Sequence, residues 1–192
     1  MPNCSDTDPP VDDPRPDDLR TAPSVVIVNT GDGKGKSTAA FGTVMRAVAR
    51  GWPVTVIQFI KSGKWHVGEE KTAKQLGVEW WAIGEGFSWD SPDLSIDQAV
   101  AQEAWRHAAE VIRTGERRLV VLDEITYPVN WGWIPVDDVV ATLRDRSPDV
   151  NVVLTGRDAP AALIDLADTV TEMRNVKHAY DQGIRAKKGI DY

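Results

Sequence analysis

A glycine-rich loop, NTGDGKGKSTAAFG over residues 29–42, constrains the fold of this chain more than any other stretch of its sequence. An apolar run precedes the loop and a helical composition follows it, and this order is typical of a phosphate-binding loop. The usual pattern, G-x-x-x-x-G-K-[ST], places a glycine at position 30, but Thr30 stands there and Gly31 follows it. The loop therefore predicts phosphate binding with a spacing one residue shorter than usual.

The loop and a second, acidic stretch together predict a site for ATP and Mg²⁺. Backbone N–H groups at a helix N-terminus attract phosphates, Lys36 adds a mobile cation, and the Ser37 hydroxyl is a ligand that Mg²⁺ accepts. The acidic stretch is VVLDE, which ends in Asp123 and Glu124. Carboxylates at the carboxyl end of a parallel strand lie where ligands bind in open α/β sheets.

Apolar runs that alternate with helical segments predict an α/β fold. The predicted strands are residues 25–29, 54–59, 78–83, 118–125, 150–156 and 169–173. The predicted helices are residues 37–50, 95–115, 135–145 and 159–167. Continuous apolar strands between helices are typical of a mostly parallel sheet that is covered by helices on both faces.

Length and composition predict one globular domain behind an unstructured tail. Residues 1–23 are rich in Pro and Asp and poor in apolar side chains, so we expect a disordered acidic tail followed by a domain over residues 24–192. The net charge of −7 argues against a nucleic-acid partner. The only cysteine is Cys4, and neither a signal peptide nor a membrane-spanning apolar run is apparent, so we expect a cytoplasmic protein.

The loop alone leaves the phosphate chemistry open among a kinase, a motor ATPase, a GTPase and a non-hydrolytic binder. The sequence lacks the arginine-rich insertion that is expected of a small-molecule kinase and the N-K-x-D motif that is expected of a GTPase. It also lacks the basic face that is expected of a motor ATPase acting on nucleic acid. Three loops instead carry aromatic residues: QFIKSGKWHVGEE, GEGFSWDSPD and ITYPVNWGWIP. Aromatic side chains on loops at one edge of a sheet suggest a flat, apolar or conjugated ligand.

Several segments resemble the corrinoid adenosyltransferases of the CobA type, also called ATP:cob(I)alamin adenosyltransferases. They are TGDGKGKSTAAFGTVMRA, VIQFIK, GEGFSW, VVLDEITY, TGRDAP, DLADTVTEM and VKHAYDQGIRAKKGIDY. The similarity extends over residues 25–192, and the family's loop has the same shortened spacing. The resemblance implies a P-loop NTPase-like (RecA-like) fold in a single domain.

The resemblance also implies a reaction. Cob(I)alamin, a strong cobalt nucleophile, would attack C5′ of ATP, and inorganic triphosphate would leave. ATP would bind in reversed orientation, with its terminal phosphate in the loop. The substrate would be cobalamin or cobyrinic acid diamide, and a flavin-type electron donor would reduce the cobalt. The family further implies a homodimer.

The resemblance assigns roles to individual residues of this chain. Contacts with ATP are assigned to Thr30, Gly31, Asp32, Gly33, Lys34, Gly35, Lys36, Ser37, Thr38 and Arg46. Contacts with Mg²⁺ are assigned to Ser37 and Glu124, and the strand-end position of Asp123 makes it a further candidate ligand, directly or through water. Lys34 and Lys36 would stabilise the leaving triphosphate, whereas Phe87 and Trp89 would lie beneath the corrin and displace the lower axial ligand of cobalt. Asp32 replaces an asparagine that is usual in the family and brings an extra negative charge toward the phosphates.

Two other readings remain open from the sequence. A P-loop ATPase or kinase would use the same loop to transfer or release a phosphate. A corrinoid carrier would bind ATP only as a regulatory ligand. The phosphate product distinguishes them, because adenosyl transfer alone yields triphosphate.

Overall fold

The computed structural model describes residues 16, 18–60, 68–82 and 94–191. Their elements in chain order are β1 Val26–Thr30, α1 Lys36–Ala49, β2 Val54–Gln58, α2 Gly68–Gln75, β3 Glu79–Ala82, α3 Leu94–Thr114, β4 Leu119–Asp123, α4 Thr126–Asn130, α5 Val136–Arg144, β5 Asn151–Thr155, α6 Ala161–Leu166 and β6 Thr169–Glu172. A single 3₁₀ turn, Tyr180–Gln182, follows β6. The predicted tail falls mostly outside the described residues and stays a prediction.

The strands form one six-stranded sheet within the described residues, in the order β3-β2-β4-β5-β1-β6. Every strand pairing is parallel. The two faces of β4 show why its sequence is apolar throughout. Val120 and Leu122 pack with side chains of α3, α5 and α6, whereas Leu119 and Val121 pack with side chains of α1 and α2. The predicted single α/β domain, a parallel sheet with helices on both faces, is confirmed.

Strand register brings polar side chains together at one edge of the sheet. Gln58 at the end of β2 pairs with Asp123 at the end of β4, and Thr155 at the end of β5 pairs with Asn29 of β1. All four are buried, although each is polar. Buried polar groups require hydrogen-bond partners, and ligands bind at the carboxyl ends of parallel strands. This edge of the sheet is therefore the candidate functional site.

Two helices were not predicted from the sequence. The first, α2, reads GEEKTAKQ and buries only Ala73, so it has almost no apolar periodicity. The second, α4, has five residues and includes Pro128 within an aromatic loop. In the described part of the chain, no helix is both long enough and apolar enough to cross a membrane.

Candidate active site

The phosphate loop begins later than the usual pattern because β1 extends through Thr30. Thr30 pairs with Glu172 of β6 as the last residue of β1, and its hydroxyl accepts a hydrogen bond from Ala159 N–H at 3.1 Å. Gly31 then turns the chain at φ +93°, and Gly35 at φ +116° precedes the first helical residue, Lys36. The shortened spacing therefore follows from where the strand ends.

The loop lies directly against the backbone that follows β6. Gly33 N–H donates to Met173 C=O at 2.6 Å, and Met173 N–H donates to Thr30 C=O at 2.8 Å. A Cβ on Gly31 would lie 2.5 Å from Met173 O, and one on Gly33 would lie 2.7 Å from Arg174 O. Real Cβ atoms do not approach backbone so closely, so glycine is required at both positions by packing.

Lys36 reaches back across the loop that precedes it. Its Nζ donates to Gly31 C=O and to Gly33 C=O, each at 2.7 Å. The ammonium therefore lies on the inner side of the turn. A polyanion in the loop would meet a cation that the backbone has already oriented.

The charged groups around Lys36 come from three different parts of the chain. Burial lowers the pKa of Lys36 below its ordinary value, and the nearby Arg157 guanidinium lowers it further. The carboxylates of Asp32 and Glu124 act in the opposite direction on the same pKa. The structure thus brings Asp32, Glu124 and Arg157 close enough to Lys36 to act on its pKa.

Asp123 is fully buried, and protein donors position both oxygens of its carboxylate. Gln58 Nε2 donates to Oδ2 at 2.8 Å, and Thr155 Oγ1 donates to Oδ1 at 2.7 Å. Trp80 Nε1 orients Gln58 by donating to its Oε1 at 3.3 Å. This network fixes the ends of β2, β4 and β5 relative to one another.

Glu124 follows Asp123 in a left-handed backbone conformation, with φ +64°. Its N–H donates to Thr155 Oγ1 at 2.9 Å, which ties the residue to the same network. A non-glycine residue at positive φ costs of the order of 1 kcal/mol and persists only where its surroundings demand it. The conformation turns the half-buried Glu124 out of β4 at the edge where the phosphate loop lies.

The donor set around the loop fits Mg²⁺. Ser37 is the second residue of α1, Asp123 is the last residue of β4, and Glu124 follows it. Among the described residues, no cluster of three or more His, Cys, Asp or Glu side chains could hold a metal by itself. Mg²⁺ usually takes one or two carboxylates together with phosphate oxygens, so hydroxyl and carboxylate donors beside a phosphate loop suit it.

Arg157 was missed as a site residue, although the stretch TGRDAP was noted. Thr126 Oγ1 donates to Arg157 C=O at 2.7 Å, and Asn130 Nδ2 donates to Asp158 C=O at 3.0 Å. These contacts hold the turn after β5 against α4. Its position in the sequence could have predicted it as a site residue, because Arg157 follows a strand whose carboxyl end lies at the ligand edge of the sheet.

Lys34 contacts a different part of the chain from the one that Lys36 contacts. Its Nζ forms an ion pair with Asp191 near the end of the chain, and the Lys34 side chain is half-exposed. It does not pair with Asp32 in the same loop. The structure therefore separates the two loop lysines, since Lys36 faces the turn and Lys34 faces the C-terminal segment.

The structure does not bring Arg46 to the phosphate loop. It is exposed in the last turn of α1, about 15 Å along the helix from Lys36 at 1.5 Å per residue. With Val25 and Asn151 it lines a separate cavity at the amino ends of the strands. Its assigned contact with ATP stays a prediction that the geometry of one chain does not support. Phe87 and Trp89 lie outside the described residues, so their roles stay predictions.

A mostly apolar cavity of about 450 Å³ lies beside the phosphate loop. Thr38, Phe41 and Gly42 of α1 form one side, with Trp80 of β3 nearby. Residues along α2 and the pair Gly189 and Ile190 also line the cavity. The cavity is large enough to cover the apolar part of a substrate whose phosphates bind in the loop.

Solved structures support the fold alone. The flagellar accessory protein FlaH from Methanocaldococcus jannaschii superimposes with a TM-score of 0.54 over 79% of this chain and 71% of that chain. Only 11% of the aligned residues are identical, so this similarity carries no inference about activity.

Sequence relatives identify the family. The family model described as "ATP:corrinoid adenosyltransferase BtuR/CobO/CobP" matches residues 23–192. The corrinoid adenosyltransferase of Escherichia coli (strain K12) is 45% identical over 88% of this chain and 85% of its own length. The corrinoid adenosyltransferase CobA of Salmonella typhimurium is 44% identical over the same shares of the two chains. The chain therefore belongs to the ATP:corrinoid adenosyltransferase family.

Proposed function

We propose that this protein transfers the 5′-deoxyadenosyl group of ATP to the cobalt of a reduced corrinoid and releases inorganic triphosphate. Family membership supports the reaction, and the position of Lys36 inside the phosphate loop is the structural observation that carries the mechanism. The cobalt nucleophile forms a bond to C5′ while the bond between C5′ and the triphosphate oxygen breaks. The electron pair of that bond leaves with the triphosphate.

The phosphate loop acts on the leaving group. As the C5′–O bond breaks, negative charge grows on the triphosphate, and oriented N–H donors and cations lower the energy of that state. Lys36 and the N–H groups at the start of α1 supply these donors, and Arg157 supplies a further cation near Lys36. Mg²⁺ held by Ser37 and Glu124 would add charge neutralisation on the triphosphate, with Asp123 holding the end of β4 in place.

Several finer assignments belong to the same proposal. The corrinoid is cobalamin or cobyrinic acid diamide, and a flavin-type electron donor reduces its cobalt. The protein works as a homodimer in the cytoplasm, with ATP and Mg²⁺ bound at each phosphate loop. Family membership supports these assignments, and each can be checked with the purified protein.

The phosphate product tests the reaction. Purified protein is incubated with ATP, Mg²⁺ and chemically reduced cobalamin, and the corrinoid and phosphate products are separated by chromatography. Adenosylcobalamin and triphosphate in equal amounts are the expected result. Orthophosphate or ADP would indicate an ATPase or kinase instead. Corrinoid binding without turnover would indicate a carrier.

The cavity beside α1 provides a test of substrate position. A Cβ on Gly42 would meet no atom within 4 Å, so Gly42→Leu extends into the cavity without displacing the backbone. We expect kcat/KM for ATP or for the corrinoid to fall by about ten-fold or more, equivalent to about 1.4 kcal/mol of lost binding. Gly42→Ala is the matched control and should keep wild-type kinetics. Unchanged kinetics in Gly42→Leu would exclude the cavity from the substrate site.

The aromatic loop that contains Phe87 and Trp89 has its own expected result. If both side chains displace the lower ligand of cobalt, the double substitution to Ala removes the four-coordinate cob(II)alamin signal in electron paramagnetic resonance with ATP bound. Adenosylation that starts from cob(II)alamin and a mild reductant should fall much more than adenosylation of pre-formed cob(I)alamin. Equal losses in the two assays would contradict ligand displacement.

A further inference from the structure

Lys34 is anchored by a carboxylate 157 positions further along the chain. Its Nζ donates to Asp191 Oδ1, and the two side chains are 50% and 24% exposed. Lys36, in the same loop, instead donates to two neutral carbonyl oxygens. The two lysines of the loop therefore differ in their hydrogen-bond partners, because in these contacts only Lys34 is paired with a full negative charge.

The Asp191 carboxylate is oriented by the turn that contains it. Lys187 N–H donates to Asp191 Oδ2 at 2.6 Å, and Asp191 N–H donates to Lys187 C=O at 2.8 Å. The Lys187 N–H and the Lys34 ammonium lower the pKa of Asp191 below its ordinary value. The carboxylate is thus ionised at neutral pH, with one oxygen used inside the turn and the other on Lys34.

The same turn, residues 187–191, forms part of the cavity wall. Gly189 and Ile190 line the cavity together with Thr38 and Phe41 of α1. The ion pair between Lys34 and Asp191 therefore connects the phosphate loop to a wall of the neighbouring cavity.

We propose that Asp191 is a positioning residue that competes with triphosphate for Lys34. When ATP binds, Lys34 moves from the Asp191 carboxylate to phosphate oxygens, and departure of the triphosphate product restores the ion pair. The inference rests on the proposed function, because it requires the triphosphate to bind in the loop. Its consequence is that Asp191 weakens the hold of the site on triphosphate and assists product release.

The energetics favour exchange over a permanent pair. A half-exposed ion pair between single charges is weak, since water screens it and both side chains lose freedom. A triphosphate carries several negative charges, so it attracts Lys34 more strongly than one carboxylate does. The same charges repel Asp191, which faces the loop. The carboxylate is therefore expected to tune affinity over a modest range and not to block binding.

The test is the affinity of the full-length protein for inorganic tripolyphosphate, measured by isothermal titration calorimetry. Asp191→Asn keeps the shape of the side chain and removes its charge. We expect it to tighten tripolyphosphate binding by about three- to ten-fold, because both the competition and the repulsion are lost. Loss of a merely structural contact would weaken binding or leave it unchanged, so the sign of the effect is decisive.

Two further variants make the result specific to Lys34. Asp181→Asn removes another C-terminal carboxylate, one that accepts from Asn175 at 3.3 Å, and controls for net charge. In a Lys34→Gln background, Asp191→Asn should tighten binding less than it does beside Lys34, because only the repulsion between Asp191 and triphosphate is then removed. The proposal would be overturned if Asp191→Asn tightened tripolyphosphate binding equally with and without Lys34, or did not tighten it at all.

The Lys36→Ala variant separates this inference from the proposed function. If Lys36→Ala weakens tripolyphosphate binding while Asp191→Asn fails to tighten it, only the role of Asp191 is wrong. If Lys36→Ala leaves tripolyphosphate binding unchanged, the triphosphate does not bind in the loop, and the proposed mechanism fails together with the role of Asp191.

Discussion

Replacing Lys36 by Ala is expected to lower the rate of adenosyl transfer by about 10²–10³, as loss of one oriented charge-stabilising donor does at other active sites. The Lys36 ammonium lies 2.7 Å from both Gly31 O and Gly33 O, so it is oriented toward the inside of the phosphate loop. The triphosphate leaving group gains charge there as the C5′–O bond breaks. Without the ammonium, that charge loses its nearest cation.

The fold should survive this substitution. Lys36 is the first residue of α1 and is not part of either hydrophobic cluster of buried residues, so little packing is lost. Lys36→Met keeps the aliphatic stem and should lose as much activity as Lys36→Ala if the charge is what matters. Lys34→Met is the comparison variant, since Lys34 must leave its ion pair with Asp191 to reach the triphosphate, and its loss should cost less than the loss of Lys36.

Steady-state rates with ATP and reduced cobalamin measure the effect, and thermal melting followed by circular dichroism checks the fold. A Lys36→Ala protein with nearly normal turnover would mean that the triphosphate does not bind in this loop. Equal losses in Lys36→Met and Lys34→Met would mean that net charge in the loop matters and not the position of Lys36.

The buried strands were predictable because the sheet is covered on both faces. Strands β4 and β5 read LVVLD and NVVLT, and such continuous apolar runs occur where neither face meets water. Strand β3 has a less distinctive sequence than the central strands for a physical reason. It is an edge strand, EWWA, with three half-buried side chains and the exposed Trp81, so buried and exposed positions do not alternate clearly. Helix α2 has a single buried residue, so its sequence lacks the apolar periodicity that predicts a helix.

The site was predictable only in its local part. Residues 30–38 are contiguous, so their sequence order alone predicts a phosphate loop. Asp123 is different, because its partners Gln58 and Thr155 come from strands on either side of β4, and strand order is not encoded locally. The pairing of Lys34 with Asp191 spans nearly the whole chain and had no local signal.

Arg46 is a residue whose predicted role stays a prediction and is not supported by the geometry of one chain. Its assignment came from family resemblance, yet simple helix geometry already separates it from Lys36 by ten residues, or about 15 Å. The structure places it at the amino ends of the strands, beside Val25 and Asn151. Carrying a residue role from a family is therefore safest where the local geometry independently supports it, as it does for Lys36.

The second large effect is expected from adding one methyl group to the phosphate loop. In Gly31→Ala, the new Cβ would lie 2.5 Å from Met173 O and 2.8 Å from Met173 N, which are backbone atoms that cannot rotate away. The φ of +93° at this position is also unfavourable for alanine. Strain and overpacking each cost about 1–3 kcal/mol, so the free energy of unfolding should fall by roughly 2–6 kcal/mol.

Relief of this clash would damage the site as well. The loop could escape only by moving away from residues 173–174, which would break the Gly33 N–H to Met173 C=O hydrogen bond and displace the carbonyl groups that orient Lys36. We therefore expect Gly31→Ala to bind ATP weakly even at temperatures at which it remains folded. Gly33→Ala meets Arg174 and Met173 backbone at 2.7 Å and should behave in the same way.

Gly42→Ala is the internal control, because it makes the same chemical change eleven residues further along. Its Cβ meets nothing within 4 Å, and alanine in a helix interior is favoured over glycine by about 0.5–1 kcal/mol. Gly31→Ala should therefore lower the urea denaturation midpoint, and Gly42→Ala should raise it. A Gly31→Ala protein within about 0.5 kcal/mol of wild type would contradict the close approach of the loop to residues 173–174. The loop would then owe its shape to β1 and α1 alone, and the demand for glycine at position 31 would have to come from the bound phosphate.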